Sequence, residues 1–293
     1  MNNRDFVPLA DQFSSNQPTN AMSVDVEDYF QVAAFKHRID RGDWSRYEYR
    51  VVTNVERILQ AFDDHDLKAT FFVLGWVAER SPELIRLIAD NEHELASHGM
   101  YHEQVFELTP EYFRNDVSRS KKVLEDLSGT RVRGYRAPSY SINQKNLWAL
   151  DVLDEVGYQY SSSIYPIAHD IYGMPSAPRF AFKINGLDLV ELPITSFYQF
   201  GRNWPCGGGG YFRLLPYSVS RCALRRVNRS DRQSAIFYFH PWEIDPRQPV
   251  IEGAGFRSHF RHYTNLRHFF PKLTRLLKDF EWGRMDEVFG FSA

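Results

Sequence analysis

The sequence predicts a parallel α/β fold, on three grounds. Short apolar runs alternate about seven times with segments of helical periodicity, the pattern of a parallel sheet covered by helices. The ionisable residues that interrupt the apolar pattern fall at the ends of those runs or just after them, at positions 25, 27, 98, 102, 136 and 240. No internal repeat, low-complexity tract or linker divides the 293 residues. A chain of this length can bury a sizeable core, and 43% hydrophobic with 25% charged residues describes an ordinary soluble globule.

Residues 1–20 read as a polar, flexible arm and residues 21–293 as one domain. Residues 21–26 (AMSVDV) form a short buried strand that runs into Asp25, Glu27 and Asp28, carboxylates that are costly to bury without partners. Over residues 51–65, Val51, Val52, Val55, Ile58, Leu59 and Phe62 recur at helical spacing. Residues 69–74 (ATFFVL) read as a fully buried strand. Ser81-Pro82 opens the next helix, with serine as cap and proline in the first turn. A strand over 93–96 leads into His98 and His102. Thr109-Pro110 repeats the cap device, and Gly129 closes that helix. The strand over 132–136 ends at Arg136; Asn143 caps a helix that Gly157 terminates. Weaker strands follow over 158–161 and 187–192, and a strong one over 235–239 precedes His240-Pro241. The last helix, over 266–280, must kink or restart at Pro271. Residues 171–182 read as a long loop whose aromatics would suit contact between copies in a homo-oligomer. The glycines at 207–210 are not followed by Lys-Ser/Thr, so they mark a mobile or tightly packed loop near the site rather than a phosphate cradle.

A net charge of −2 gives no basic field for nucleic acid or for an anionic membrane surface. Cys206 and Cys222 make no disulfide framework and read as reduced thiols. The first twenty residues lack the apolar core of a secretory leader, and no run approaches the roughly 18 apolar residues of a membrane span. These features predict a soluble, cytoplasmic protein.

The polar residues at the strand ends carry the chemistry. In a parallel α/β barrel the carboxyl ends of the strands share one face, so Asp25, Glu27, His98, His102, Arg136 and His240 would converge there. Two imidazoles separated by three residues can reach one metal ion from one side of a helical turn, and a hydrolytic site needs a third protein ligand. Asp25 and Glu27, two apart on a strand, point to the same side. One can complete the ligand set while the other acts as base. Arg136 would orient that base and His240 would protonate a leaving amine. The sum is hydrolysis of an amide or ester.

These motifs resemble the polysaccharide deacetylases of the NodB-homology type, carbohydrate esterase family 4, over about residues 21–245. The resemblance rests on SVDVED, SHGMYH, RAP at 136–138 and YFHPWE. The longer runs TFFVLGWVAER, GYRAPSYSI and GGGYFRLLP are similar to a cytoplasmic subfamily associated with exopolysaccharide export loci. It implies a distorted (β/α)7 barrel with a C-terminal extension from about residue 246. It further implies Asp25 as base, Arg136 and His240 as its catalytic partners, and Glu27, His98 and His102 on one divalent metal, zinc or else cobalt, nickel or manganese. An oxyanion contact would fall on the Ser139 backbone, and Tyr140, Tyr211 and Trp242 are candidates for sugar contact. Glu243, Arg257, Arg261 and His262 are further candidates for sugar or phosphate contact.

Two departures stand out. The acids are spaced as Asp25-Val26-Glu27-Asp28, so Asp28 competes with Glu27 for the metal, and Ser161 stands where the subfamily usually has aspartate. The expected reaction is removal of N-acetyl groups from N-acetylhexosamine units of a polysaccharide or its precursor. The alternatives are deformylation of a lipid-linked amino sugar, opening of a cyclic amide, or a carbohydrate-binding relative without catalysis.

Overall fold

The computed structural model describes residues 5–169 and 172–291. Its strands are β1 (Phe6–Pro8), β2 (Asn20–Val26), β3 (Thr70–Val73), β4 (Glu94–Ser97), β5 (Gly134–Tyr135), β6 (Tyr160–Ser161), β7 (Phe182–Ile184), β8 (Val190–Glu191), β9 (Ser196–Gln199), β10 (Arg202–Pro205), β11 (Ile236–Phe239) and β12 (Trp282–Gly283). Seven of them, in the order β11-β2-β3-β4-β5-β6-β8, are parallel neighbours. These are the seven strands expected from the sequence. β7 and β1 continue the sheet antiparallel beyond β8, β12 pairs with the start of β2, and β9 and β10 form a separate hairpin.

The ring does not close by a regular ladder between β8 and β11. Thr195 Oγ1 accepts the Ile236 N–H at 2.6 Å and the Gly207 carbonyl accepts the Tyr238 N–H at 2.8 Å, which bridges the gap with irregular chain. The barrel is distorted at this point. Here the glycine run is a packing device: a Cβ on Gly208 would lie 2.0 Å from the Tyr238 carbonyl oxygen.

The helices are α1 (Val51–Asp63), α2 (Gly75–Arg80), α3 (Pro82–Asp90), α4 (Pro110–Ser128), α5 (Trp148–Val156), α6 (Gly209–Leu214), α7 (Tyr217–Arg226), α8 (Phe256–Tyr263), α9 (Leu266–Asp279) and α10 (Met285–Val288). Thr109 caps α4, its Oγ1 accepting the Tyr112 N–H at 3.2 Å, and Gly129 ends it at φ 68°. Three expectations change. The arm supplies β1 rather than lying loose, because Phe6 and its neighbours pair with the edge strand β7. Residues 1–4 and Ile171, the first residue of the expected loop, lie outside the described residues. Asn143 opens a turn, its Oδ1 accepting the Lys145 N–H, and α5 begins five residues later. Helix α9 runs unbroken through Pro271.

Strand alternation sorts the core. Met22, Val24, Phe71, Val73, Leu95, Phe237 and Phe239 face the helices, while Ala21, Phe72, Ala96, Tyr160, Ile236 and Tyr238 fill the barrel interior. Asp25 pairs in register with Phe72, so the same two-residue period that turns Phe72 inward turns Asp25 inward. His98 follows inward Ala96 and His240 follows inward Tyr238 by the same count. Among the described residues no helix is long and apolar enough to cross a membrane.

Candidate metal centre and active site

At the carboxyl ends of the strands lies a cleft of about 520 Å³ lined by Asp25, Glu27, His98, His102, Ser139, Tyr140, His240 and Trp242, among others. Asp25 is buried, and its Oδ1 accepts from Arg136 Nη1 at 2.6 Å. The guanidinium is fully buried and held on every side. It also donates to Ser23 Oγ at 2.8 Å, to the Ser162 carbonyl at 3.3 Å and to Ser162 Oγ at 3.1 Å, and it lies 4.0 Å over the Phe72 ring. A cation so enclosed fixes the carboxylate it touches.

Glu27, His98 and His102 bring ligand atoms within 4.8 Å of one another, a set able to hold a metal ion. His98 Nδ1 is committed to the Arg136 carbonyl at 2.8 Å, which leaves its Nε2 lone pair for the cleft. Glu27 Oε2 and His102 Nε2 approach to 2.6 Å, yet Oε2 makes no hydrogen bond, and neither does the buried His102 Nδ1. Buried polar atoms without partners, beside a carboxylate and two imidazoles, suit the coordination of a divalent cation. The residues therefore fit a divalent metal. Burial alone would raise the Glu27 carboxyl, but His102, His240 and His98 hold it down at about 2. The two histidines lie on a loop, not on a helical turn, because Gly99 turns left-handed at φ 77° directly after β4 and His102 follows at φ 56°.

Asp28 is turned away from this set. Its Oδ1 accepts the Tyr29 N–H, and its Oδ2 accepts the Arg50 and Val51 N–H groups at 2.6 and 2.9 Å, which satisfies the start of α1. Across the cleft, His240 Nε2 stands 4.0 Å from Asp25 Oδ2 and 3.6 Å from Glu27 Oε1. Its Nδ1 donates to Glu243 at 3.0 Å. Burial would lower the imidazole, but Glu243, Glu27 and Asp25 raise it to about 9.

Two proposed sugar contacts are placed differently. Trp242 lines the cleft, but its Nε1–H donates to Glu27 Oε1 at 3.1 Å and its faces are covered by His240 and His262, with ring centroids 5.0 and 4.1 Å away. It supports Glu27 rather than offering a sugar platform. Tyr211 lines a separate apolar groove with Tyr198, Phe200 and Trp204. Ser139 and Tyr140 do border the cleft, and both take left-handed backbone conformations, φ 55° and 50°. Such strain gathers at functional sites. Arg257, Arg261 and His262 also line the cleft.

Sequence reasoning missed the support of Glu243, the partner of His240. Arg213 is buried, donates to Glu243 at 2.7 Å and ties that carboxylate to the carbonyls of Arg261, His262 and Thr264. Nothing in its sequence neighbourhood announces this, since its partners lie 30 or more residues away. The Ser161 position is answered by Glu191, its register partner on β8. Glu191 Oε1 accepts the Ser163 and Ile164 N–H groups at 2.8 and 2.7 Å, fixing the segment whose Ser162 holds Arg136.

Residues 40–161 match the profile of the polysaccharide deacetylase family. Over these residues the chain resembles the polysaccharide deacetylases. Residues 162–290 match a domain of unknown function (DUF3473), so the deacetylase match itself excludes Asp25, Glu27 and His240. The chain is 30% identical over 96 residues to a peptidoglycan-N-acetylglucosamine deacetylase of Bacillus cereus, covering 32% of this chain and 35% of that protein. It is 32% identical over 97 residues to a chitooligosaccharide deacetylase of Bradyrhizobium, covering 33% of this chain and 42% of that protein. These matches span less than half the length of either relative. A Mycobacterium smegmatis crystal structure assigned to the polysaccharide deacetylases shares the fold, with a TM-score of 0.60 at 22% identity over 92% of this chain and 88% of that one. The chain thus has the distorted barrel that its sequence predicts.

Proposed function

We propose that the protein is a metal-dependent hydrolase that removes N-acetyl groups from N-acetylhexosamine units of a polysaccharide or its precursor. The observation that carries this reading is the placement of two proton-handling groups on either side of one ligand set. Asp25 is fixed by Arg136 and His240 by Glu243, with 4.0 Å between Asp25 Oδ2 and His240 Nε2. The relatives named as N-acetylglucosamine and chitooligosaccharide deacetylases support the choice of an N-acetylated sugar.

Glu27, His98 and His102 would hold the ion, for which zinc best suits two imidazoles and a carboxylate. A divalent ion supplies polarisation of the amide carbonyl and acidifies the attacking water. Asp25, with Oδ1 engaged by Arg136, offers Oδ2 to take the proton from that water. His240 then gives its Nε2 proton to the departing amine, and Glu243 at Nδ1 steadies the ring in the protonated form. The backbone of Ser139, turned left-handed at the cleft wall, suits an oxyanion contact.

The test is acetate release from short N-acetylglucosamine oligomers by the purified protein, before chelation, after it, and with zinc restored. Release that stops with chelation and returns with zinc is the expected result. Protein that holds one metal per chain yet releases no acetate overturns the assignment.

A further inference from the structure

Residues 201–278 carry 14 arginines and lysines against four acids, whereas the rest of the chain carries 21 against 33. The near-neutral total hides two opposed fields. Within the basic stretch, residues 253–278 hold six of the cations and no acid at all. They begin with α8, which contributes Arg257, Ser258 and Arg261 to the wall of the cleft and buries His262 beneath Trp242. The inner side of this helix is therefore satisfied.

Its outer side is not. Phe256 and Phe260 stand one turn apart, 84% and 46% exposed, with ring centroids 6.4 Å apart and planes 23° from parallel. Phe106, which lines the same cleft, is 41% exposed. Adjacent phenyl rings left in water on a short helix cost hydration free energy and return little packing to the fold. A neutral N-acetylated glycan carries no charge that complements this basic stretch. An anionic lipid surface satisfies both features at once: the cations meet the headgroups, and the rings enter the boundary between headgroup and acyl chain.

We propose that the mouth of the cleft docks on an anionic lipid bilayer through α8, with Phe256 and Phe260 inserted and Arg257 facing the headgroups. Docking in this orientation sets the cleft against the membrane. It is independent of the reaction proposed above and is tested without turnover.

The experiment is co-sedimentation of the full chain with vesicles of phosphatidylglycerol and phosphatidylcholine, against vesicles of phosphatidylcholine alone. The expected result is pelleting with the anionic vesicles only, reversed by high salt. The double variant Phe256→Ser, Phe260→Ser should partition roughly tenfold or more weakly, and Arg257→Glu should weaken partition as well. Both should melt at the wild-type temperature, which separates lost docking from lost fold. Equal partition to neutral and anionic vesicles overturns the proposal, as does wild-type partition by the phenylalanine variant. So does absence of vesicle binding together with self-association that the same variant abolishes, which would show that a second copy covers this face.

Discussion

Arg136 is a fully buried cation with one carboxylate in contact, and that fact governs what substitutions around it do. Asp25→Asn removes the proposed base and leaves the guanidinium without its counter-charge. Turnover should fall by about two orders of magnitude or more, and stability should fall by about 3–5 kcal/mol, while the bound metal remains. Full activity in that variant would remove Asp25 from the mechanism. Glu191 gives a pH test remote from the ligand set. Burial pushes its carboxyl from 4.5 up to about 7, against the pull of the Ser161 hydroxyl and of the Ile164 and Ser163 N–H groups. The unfolded chain therefore releases this proton near 4.5 while the folded chain keeps it until about 7. Glu191 makes the wild type lose stability as pH rises through that window and no further above it. Glu191→Gln keeps an acceptor for both N–H groups and has no proton to lose, so its stability relative to wild type should climb across the window and then level off. Chemical denaturation at a series of pH values reads this directly; a constant difference would contradict it. The convergence of the candidate site residues was legible because the period of two projects Asp25, His98 and His240 inward with Phe72, Ala96 and Tyr238. The role of Trp242 was not legible, since spacing says nothing of where an indole N–H is spent.

Helix α1 begins without a side-chain cap of its own, and Asp28, more than 20 residues upstream, accepts its first N–H groups instead. Position 28 thus belongs to the helix and position 27 to the cleft. Asp28→Ala should destabilise the fold by about 1–3 kcal/mol and leave one metal per chain. Glu27→Ala should lose most of the metal with a smaller change in melting temperature. Metal analysis beside thermal melts distinguishes the two, and the reverse pattern would make Asp28 the ligand. Caps written in adjacent residues, such as Thr109 with Pro110, were readable in the sequence. Caps and closures assembled from distant residues were not. Asp28 to α1, Arg213 to α8 and Thr195 to β11 all depend on chain segments meeting in space. The strands β1, β7, β9, β10 and β12 escaped because they lie outside the strand-helix alternation that announced the seven parallel neighbours.

For the molecule as a whole, the two matched segments do not act as separable parts. The parallel sheet crosses their boundary, with β6 pairing β8 and β2 pairing both β3 and β11. A fragment spanning residues 40–161 lacks β2 and β11 altogether. It should show no cooperative thermal transition, whereas the full chain should show one; a sharp transition in the fragment would mean that the barrel can be divided. The same pairing has a kinetic consequence. The ligand set comes from β2 and β4, which meet through β3 over modest loops, but His240 arrives only when β11 joins β2, a contact spanning 214 residues between Ser23 and Phe237. Loop-closure entropy places so distant a contact late. In refolding, metal uptake should therefore precede recovery of turnover, so that the chain is a metal-binding protein for an interval before it becomes an enzyme.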